Sequence, residues 1–433
     1  MNITKTIFTL LTITLFSLTI TAQSDIEWGN SRAYNGGSPD WIVGKLKSGY
    51  VLYGRNYVMR KPINVIYNFD NEMNFEGSNI FQLKKYNDRE ITLEEIMMLD
   101  NEIVVFSSYY DKKEKKSFAY GQVLNTKGES KSDIVELGEV KAASKKRKGF
   151  FDFIISSNKK TFMVYEHPPF DKYNKEKFKY KVYDNKLKTL WEAEIELPFL
   201  DKEFGVSGYL LDANNNVYMI ATIFEPLAKG EKRKDSENPY GKKVILIYDH
   251  ATKKLTELDI TMKSPQRPTD ISISVSDGSV KIVGFYADGK SYSAKGVFYY
   301  EISTESKKVV KSDFKEFSKE FIASFIGDKK ADKDYGLSNF DIIDIVNHKD
   351  NSLSFVAEYY RFYVTCTTDP KTGAQSCTYH YLYYDIIAVR FDSKGKVEWI
   401  TRIPKKQHTT NDNGYYSSYA FGQKDNELFL VYN

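Results

Sequence analysis

The feature that most constrains the fold is a short signature, a turn followed by a mostly apolar run of four residues, that occurs seven times along the chain. Each run begins within two residues of a preceding Asn, Asp, Gly, Ser or Lys, and short runs bounded in this way are typical of β-strands. The runs lie at residues 50–53, 103–106, 162–165, 217–220, 280–283, 353–356 and 428–431. Such self-similarity predicts a modular chain in which each copy forms the same small structure.

Three further strands accompany these runs in each complete copy of the unit. Upstream partners, joined to the runs by tight turns, lie at 40–46, 93–99, 151–156, 206–211, 270–275, 340–346 and 416–421. Third strands follow six of the runs, at 65–70, 118–124, 180–183, 244–248, 297–302 and 387–391. Fourth strands come next, at 78–83, 132–137, 190–197, 255–261, 309–314 and 397–403. The repeating unit is therefore a four-stranded antiparallel meander.

Sheets of this kind have two apolar faces, and one sheet cannot bury both by itself. Packing the sheets radially around an axis buries both faces and leaves only short edges, whereas a single open sheet with so many strands is disfavoured. The 33 Tyr and 28 Phe residues also favour β-structure. We therefore predict an all-β fold, a β-propeller of four-stranded antiparallel blades, with seven blades; a six-bladed ring with an accessory hairpin is the alternative.

The two ends of the chain are expected to meet in the last blade. The C-terminal hairpin supplies only two strands of a seventh blade, and residues 25–28 resemble the fourth-strand sequence at 396–399. We expect this N-terminal strand to join the hairpin and close the ring. One strand is then unaccounted for, so that either the blade has three strands or the chain is cut short at Asn433.

One segment departs from the strand pattern and predicts a helix. Its large apolar residues recur at helical spacing and are Phe314, Phe317, Phe321, Ile322, Phe325 and Ile326. Gly327 is a suitable stop. We predict a short amphipathic helix at about 318–326, within an insertion at 315–327, and expect it to pack on its own domain between blades five and six rather than to bind a partner.

The N-terminus has the pattern of an export signal. Lys5 provides a positive charge, an apolar stretch follows at 7–20, and Ala22 is a small residue at the expected cleavage position. Residues 1–22 are therefore predicted to be a signal peptide, and 23–433 a single propeller domain, secreted, periplasmic or otherwise in the cell envelope. The apolar stretch is short for a membrane span, and no later stretch approaches one.

The two cysteines are expected to form a disulfide. Cys366 and Cys377 flank the turn sequence at 369–373, and Tyr, Thr and Val dominate the flanks. This predicts a two-stranded ribbon at about 359–384 with a bond across it, which an oxidising compartment would support. Two free thiols are the alternative; a metal site is disfavoured because only His380 lies nearby in the sequence.

The lengths of the connections between strands indicate which face of the propeller carries the functional site. The first-to-second and third-to-fourth connections are tight, and the others, which are longer, all emerge on one face of an up-and-down blade. Loops on a rigid scaffold often carry function. Aromatic side chains on or beside these loops are the candidate ligand contacts: Tyr109, Tyr110, Phe170, Tyr173, Phe224, Tyr240, Tyr359, Tyr360, Tyr363, Tyr379 and Tyr381. Alternatively, these rings only fold the loops onto the blades.

Other site types receive little support from the sequence. The net charge of +4 argues against a nucleic-acid binder, and the basic run at 145–148 is expected to be a solvated loop because no aromatics alternate with its charges. The five histidines form no H-E-x-x-H pair, and no G-x-S-x-G is present. Asp212 begins a sequence that resembles a calcium loop but lacks its Gly and Glu, which favours a hairpin turn. No catalytic residue, metal site or cofactor is predicted.

Several C-terminal motifs resemble one family of proteins. They lie at 336–341, 383–387, 397–399, 403–407 and 411–418. They look like those of a family of uncharacterised secreted, β-propeller-like proteins of Gram-negative bacteria, over roughly the last hundred residues. Members of that family continue past the end of this chain, which implies truncation. The family has no assigned activity, so the resemblance implies no functional residues.

Three hypotheses follow for function. The leading one is a non-enzymatic binding or scaffold propeller, expected to be a monomer, that engages a protein or glycan through its long-loop face. The second is a carbohydrate-active enzyme, glycosidase or lyase-like, with acids at the central channel; the third is structural packing in a larger surface assembly. Carboxylates at the channel mouth, ringed by aromatics, would favour the enzyme, and a flat Tyr-rich face would favour binding. The fold alone decides none of them.

Overall fold

The computed structural model describes residues 39–58, 61–83, 85–86, 88–144, 146–224, 241–260, 262–276, 278–289 and 291–433. The chain divides into two compact units, Met1–Ser78 and Asn79–Asn433. The first unit contains one described sheet, whose last strand ends just beyond the boundary. Sheet one is the meander β1 Trp41–Lys45, β2 Gly49–Val58, β3 Lys61–Asp70 and β4 Phe75–Phe81.

The second unit contains five more meanders and a hairpin, each with antiparallel strands in sequence order. Sheet two is β5 Thr92–Leu99, β6 Glu102–Asp111, β7 Lys116–Leu124 and β8 Val135–Lys141. Sheet three is β9 Phe150–Ile155, β10 Thr161–His167, β11 Lys175–Asp184 and β12 Thr189–Leu200. Sheet four is β13 Phe204–Leu211, β14 Val217–Phe224, β15 Gly241–Asp249 and β16 Lys254–Asp259.

The remaining sheets complete the unit. Sheet five is β17 Gln266–Ser276, β18 Ser279–Asp288, β19 Gly296–Ser303 and β20 Val309–Glu316. Sheet six is β21 Phe340–Asn347, β22 Leu353–Thr368, β23 Gln375–Phe391 and β24 Val397–Ile403, with β25 Gln407–Thr410 added beside β23. Sheet seven is the hairpin β26 Ala420–Lys424 and β27 Glu427–Val431.

Consecutive sheets of the second unit pack face to face through continuous apolar clusters. Phe106 and Phe162 belong to the cluster between sheets two and three, and similar clusters join three to four and four to five. Phe285 and Phe355 pack between sheets five and six, and another cluster joins six to seven. Burial of both faces of each meander is the arrangement that the repeat predicts. The β-propeller fold, with seven sheets of which six are four-stranded meanders, is confirmed.

The first strands of the second unit lie side by side, and we call this row the inner edge. β9 and β13 meet through a parallel bridge between Ser156 and Leu211. β17 and β21 meet where the Ile342 amide donates to the Asp270 carboxylate at 2.9 Å. In the ladders of β5, β13, β17 and β21, one extra residue interrupts the register near the strand start. Such bulges change the direction in which the following side chains point.

The helical insertion is also confirmed. α1 spans Lys319–Ile326 and begins at Ser318, whose side chain accepts a hydrogen bond from the Phe321 amide. It ends at Gly327, which has a φ of 83°, a value that favours glycine. Ile322 is buried in the cluster between sheets five and six, as expected. A second, very short helix, α2 at Asp328–Ala331, was not predicted.

The predicted disulfide ribbon is present. Cys366 and Cys377 face each other across β22 and β23 and are bonded, which confirms the pairing. β25 pairs with β23 at the base of this ribbon, a contact that the sequence analysis did not anticipate. Among the described residues, no helix is both long and apolar enough to cross a membrane. The predicted signal peptide and the expected closing strand at 25–28 lie outside the described residues.

Some strand bounds differ from the prediction for identifiable reasons. β8 begins at Val135 rather than 132, because the preceding residues form a wide turn in which the Lys131 amide donates to the Val123 carbonyl at 2.8 Å. β26 begins at Ala420 rather than 416, because Ser418 is held by side chains: its amide donates to Gln407 Oε1 and its hydroxyl to Glu358 Oε2. Side-chain hydrogen bonds of this kind compete with strand pairing.

Candidate functional site

A polar and aromatic cluster occupies the long-loop end of sheet three. Asp152 pairs with Tyr165 across β9 and β10, and Phe150 pairs with His167. Opposed residues in an antiparallel ladder point to the same face, and residues two apart share that face. All four side chains therefore lie together, where the loops at 142–149 and 168–174 enter and leave the sheet.

His167 is held from three directions. Its Nε2 lies 2.7 Å from the Oδ2 of Asp152, the Phe150 ring stacks on the imidazole at 4.1 Å, and Tyr165 meets it edge-on at 4.0 Å. The imidazole is half-buried, and the Asp152 carboxylate is more exposed. A carboxylate at one ring nitrogen fixes the orientation of a histidine. The pair is therefore held in a fixed position, in which it can hydrogen-bond to a bound ligand.

A second carboxyl group approaches this pair from sheet two. Glu95 follows the bulge residue Glu94 in β5, on the inner edge. Its side chain is accessible but has protein on several sides, and this partial desolvation, with the nearby Asp152 charge as the smaller cause, raises the pKa of Glu95 to about 7. Glu95 is therefore partly protonated at neutral pH and can donate a proton.

A third group of side chains links the cluster to sheet four. The Glu176 carboxyl is hydrogen-bonded to Asp201 and Tyr165, and the rings of Tyr165 and Tyr209 lie 4.8 Å apart. Burial and, to a smaller degree, the Asp201 charge raise the pKa of Glu176. We call the whole set the acid–histidine site. Its members are Glu95, Phe150, Asp152, Tyr165, His167, Glu176, Asp201 and Tyr209.

A cleft adjoins this site between two loops, and we call it the loop cleft. Its volume is about 720 Å³, and it is lined by Lys141, Ala142, Ala143, Arg147 and residues 169–174. The Arg147 guanidinium donates to the Phe170 carbonyl and so joins the two loops. The Asp171 amide donates to Asp201 Oδ2 at 2.6 Å, which connects the cleft to the acid–histidine site.

A smaller pocket of about 200 Å³ lies between sheets four and five. Lys243 and Arg267 contribute cations, and the bulge residues Ser207 and Thr269 contribute hydroxyl groups. Burial lowers the pKa of Lys243. Among the described residues, no group of three or more His, Cys, Asp or Glu side chains is arranged to hold a metal ion.

The tyrosines predicted to bind ligand fall into two groups. In the first group, Tyr109 lies under Arg89, Tyr110 lies under Lys148, and Tyr173 is 75% exposed in the loop cleft. The second group lies on the ribbon of sheet six and is made up of Tyr359, Tyr360, Tyr363, Tyr379 and Tyr381. Tyr240 is outside the described residues. The first group lies on sheets two and three and the second on sheet six, and ligand binding by either stays a prediction.

The ribbon tyrosines differ in what they contact. Tyr359 stacks on Tyr384 at 5.4 Å, Tyr360 packs on Tyr383 at 4.9 Å, and Tyr363 stacks on His380 at 4.4 Å. Tyr379 and Tyr381 share one face with Phe362, and the Tyr381 hydroxyl donates to Asn413. All five therefore pack against a ring on the neighbouring strand, as the loop-folding alternative expects.

The acid–histidine site itself was not found in the sequence, because its members lie on three different sheets. One signal was available. When the first strands are aligned on the apolar runs that they oppose, carboxylates occupy the same position, opposite the last residue of the run, in three of them: Glu95, Asp152 and Asp344. A core-facing strand has no packing reason to repeat a charge at one position, so this recurrence indicates a polar inner edge.

Comparisons with known proteins bear on the fold alone. No protein-family profile matches the chain, and no curated protein matches it. The family resemblance of the C-terminal motifs therefore stays a prediction. Among solved structures, the β-propeller domain of the Trilobed protease from Pyrococcus furiosus is 11% identical, with 87% of this chain and 95% of that chain covered and a TM-score of 0.35.

Two carbohydrate-active enzymes are also among the structural matches. A polysaccharide lyase is 11% identical, with 77% of this chain and 85% of that chain covered and a TM-score of 0.33. A β-1,3-galactosidase of glycoside hydrolase family 43 is 10% identical, with 71% and 94% covered and a TM-score of 0.30. At such low identity these likenesses carry no activity over to this chain.

Proposed function

We propose that this chain is a glycan-binding propeller and that the acid–histidine site is where the sugar is held. The observation that carries the proposal is the exposed Phe150 ring, 59% accessible, stacked on a histidine that is itself bonded to a carboxylate. A flat apolar ring beside fixed donors and acceptors suits a sugar, which has apolar C–H faces and a rim of hydroxyl groups.

The surrounding groups support the same ligand class. Asp152 and Asp201 offer acceptors, and Glu95, with its raised pKa, offers a donor at neutral pH. A binding site that must hold hydroxyl groups needs both kinds in fixed positions. The disulfide between Cys366 and Cys377 is compatible with a protein of the cell envelope or the exterior, where extracellular glycans occur.

A direct binding measurement tests the proposal. We expect the Phe150→Ala variant to lose at least about tenfold in affinity for whichever polysaccharide the wild type retains on a glycan array. Phe362→Ala is the matched control, because Phe362 is a similarly exposed ring on the ribbon. Equal affinity of wild type and Phe150→Ala, with loss only in Phe362→Ala, would move the binding site to the ribbon. Binding of no glycan would refute the proposal.

Glycoside hydrolysis is a second candidate, because Glu95 and Asp152 place two carboxyl groups at one site. Glycosidases use one protonated and one ionised carboxyl group around the scissile bond. The raised pKa of Glu95 suits the acid, and Asp152, which is hydrogen-bonded to His167, is the candidate for the second carboxyl group.

The pH profile distinguishes the two candidates. If the protein hydrolyses glycans, Glu95 must be protonated to act as the acid. The rate at which reducing ends are released should therefore fall as pH rises through about 7. Asp152→Asn and Glu95→Gln should each lower the rate by at least about a hundredfold while the binding of the same glycan persists. Binding without any release of reducing ends by the wild type would leave a non-enzymatic binding protein.

A further inference from the structure

The loop cleft carries an unbalanced positive charge. Lys141, Arg147 and Lys172 line it, and in the described part of the chain none of these three makes an ion pair. The one carboxylate among the lining residues, Asp171, is occupied within its own turn. Its Oδ1 accepts from the Tyr173 amide at 3.1 Å, and its Oδ2 accepts from the Asn174 side chain at 2.9 Å.

Exposed aromatic rings accompany these cations. Phe170 and Tyr173 are both more than half exposed, and the Lys172 ammonium lies 4.7 Å from the centre of the Tyr173 ring. In the loop at 142–149, the Lys148 ammonium lies 5.0 Å from the centre of the Tyr110 ring. The basic run was expected to be only a solvated loop because it contains no aromatics. The structure supplies them from β6 and from the facing loop, which the order of residues in the run does not reveal.

We propose that the loop cleft is a subsite for an acidic polysaccharide, one whose sugars carry carboxylate or sulfate groups. The inference rests on the proposed glycan binding and names the class of glycan. A ring beside a cation is complementary to a pyranose with an anionic substituent, because the ring packs on the sugar face and the cation pairs with the charge. Arg147 is suited to such pairing, since its fork can bind a planar carboxylate or a sulfate.

The cleft and the acid–histidine site are placed to hold one continuous chain. His167 ends β10 two residues before Pro169, which lines the cleft. Asp201 binds the cleft wall twice: its Oδ2 accepts from the Asp171 amide, and its own amide donates to the Asn174 carbonyl at 3.0 Å. A polysaccharide with one residue against Phe150 can therefore extend its next residues between Arg147 and Tyr173.

The test uses matched polymers that differ only in charge. We expect the wild-type protein to bind dextran sulfate at least about tenfold more tightly than dextran at physiological ionic strength, and polygalacturonate more tightly than its methyl ester. The two pairs separate sulfate from carboxylate recognition, and a preference in either pair supports the proposal. Equal affinity for the charged and neutral partner in both pairs overturns it and leaves the proposed glycan binding standing.

Charge variants locate the effect. Lys141→Gln combined with Lys172→Gln should abolish most of the preference for the acidic polymer over the neutral one. Lys186→Gln combined with Lys188→Gln is the control, because it removes the same charge from exposed positions at the opposite end of sheet three. If both double variants weaken binding equally, the attraction is general and the subsite is refuted.

Two further outcomes separate this inference from the function on which it rests. If the acidic polymer binds through Lys141 and Lys172 while Phe150→Ala has no effect, the subsite stands and the acid–histidine site does not hold the sugar. If single-stranded polyuridylate competes with dextran sulfate at equal charge concentration, the cleft recognises any polyanion, and the assignment to a glycan is overturned.

Discussion

Single side chains close most of the tight turns in this fold. At the end of a third strand, one Asp or Asn oxygen accepts hydrogen bonds from backbone amides two to four residues further on. The residues in this position are Asp70, Asn125, Asp184, Asp249 and Asp392. An Asx turn of this kind fixes the connection without help from the rest of the sheet. The third-to-fourth connections can therefore stay short in sheets with otherwise different sequences.

Asp212 performs the same task in a first-to-second connection, and it is almost fully buried, at 3% exposure. Its Oδ1 accepts from the amides of Asn214 and Asn216 at 2.8 Å each, and its Oδ2 from the Asn216 side chain and the Tyr218 hydroxyl. Both oxygens of the carboxylate that would begin a calcium loop are thus used in a hairpin turn. The hairpin turn that the sequence analysis favoured at Asp212 is confirmed.

Replacing Asp212 tests how much such a turn contributes to stability. Asp212→Ala leaves buried donors without an acceptor, and we expect it to lower the free energy of unfolding by about 2–3 kcal/mol in urea titrations. Asp369→Ala is the control. Asp369 accepts from two amides in the same way at the exposed ribbon tip, where water can replace it, so the loss should stay below about 1 kcal/mol. Equal losses would contradict the role of burial.

At the scale of elements, the helix is the clearest case of a structure fixed by local signals. Phenylalanines at helical spacing, the cap at Ser318 and the stop at Gly327 all occur within α1 or next to it. The helix buries Ile322 between sheets five and six, and Phe321 packs against Phe317 and Phe325. Since an isolated helix of this length is unstable in water, its cap and its packing must act together.

Variants at two serine positions separate the contribution of the cap to the stability of α1 from that of packing. Ser318→Ala removes the side chain that accepts from the Phe321 amide, and we expect a loss of about 1 kcal/mol, most of it restored in Ser318→Asp. Ser324→Ala is the control, because the Ser324 hydroxyl only donates back to the Phe321 carbonyl from an exposed position. Chemical denaturation of the three variants provides the measurement. A neutral Ser318→Ala would show that packing alone holds the helix.

Strands, the helix and the disulfide were predicted from the sequence far better than the acid–histidine site. The difference lies in how far apart in the sequence the interacting residues are. Strands such as β24, found at 397–403 as predicted, follow from apolar runs and turn residues within a few positions of one another. The disulfide, at a separation of 11 residues, is equally local. The acid–histidine site joins Glu95 to Asp201 through packing between three sheets, and no pattern within one sheet encodes that packing. Alignment of the first strands was the one route to part of it.

The second unit is a chain of neighbouring sheets, and its energetics should follow that order. Each apolar cluster belongs to one pair of adjacent sheets: Val104 lies in the cluster of sheets two and three, and Val283 in that of sheets five and six. In modular proteins, stability is close to a sum of module terms and nearest-neighbour interface terms. Substitutions in separate interfaces should therefore act independently, and substitutions in one interface should not.

Three valine-to-alanine variants and two of their combinations test this order. Val104, Val283 and Val389 are all fully buried, and each substitution should cost about 2 kcal/mol through lost burial and the cavity left behind. The costs of Val104→Ala and Val283→Ala should add to within about 0.5 kcal/mol, because their clusters share no residue. Val283→Ala with Val389→Ala should deviate further from additivity, because both valines lie in one cluster. Non-additive costs for Val104→Ala with Val283→Ala, and additive costs for Val283→Ala with Val389→Ala, would mean that strain spreads along the row of sheets. A ligand bound at sheet three would then affect the stability of distant sheets, including the ribbon of sheet six.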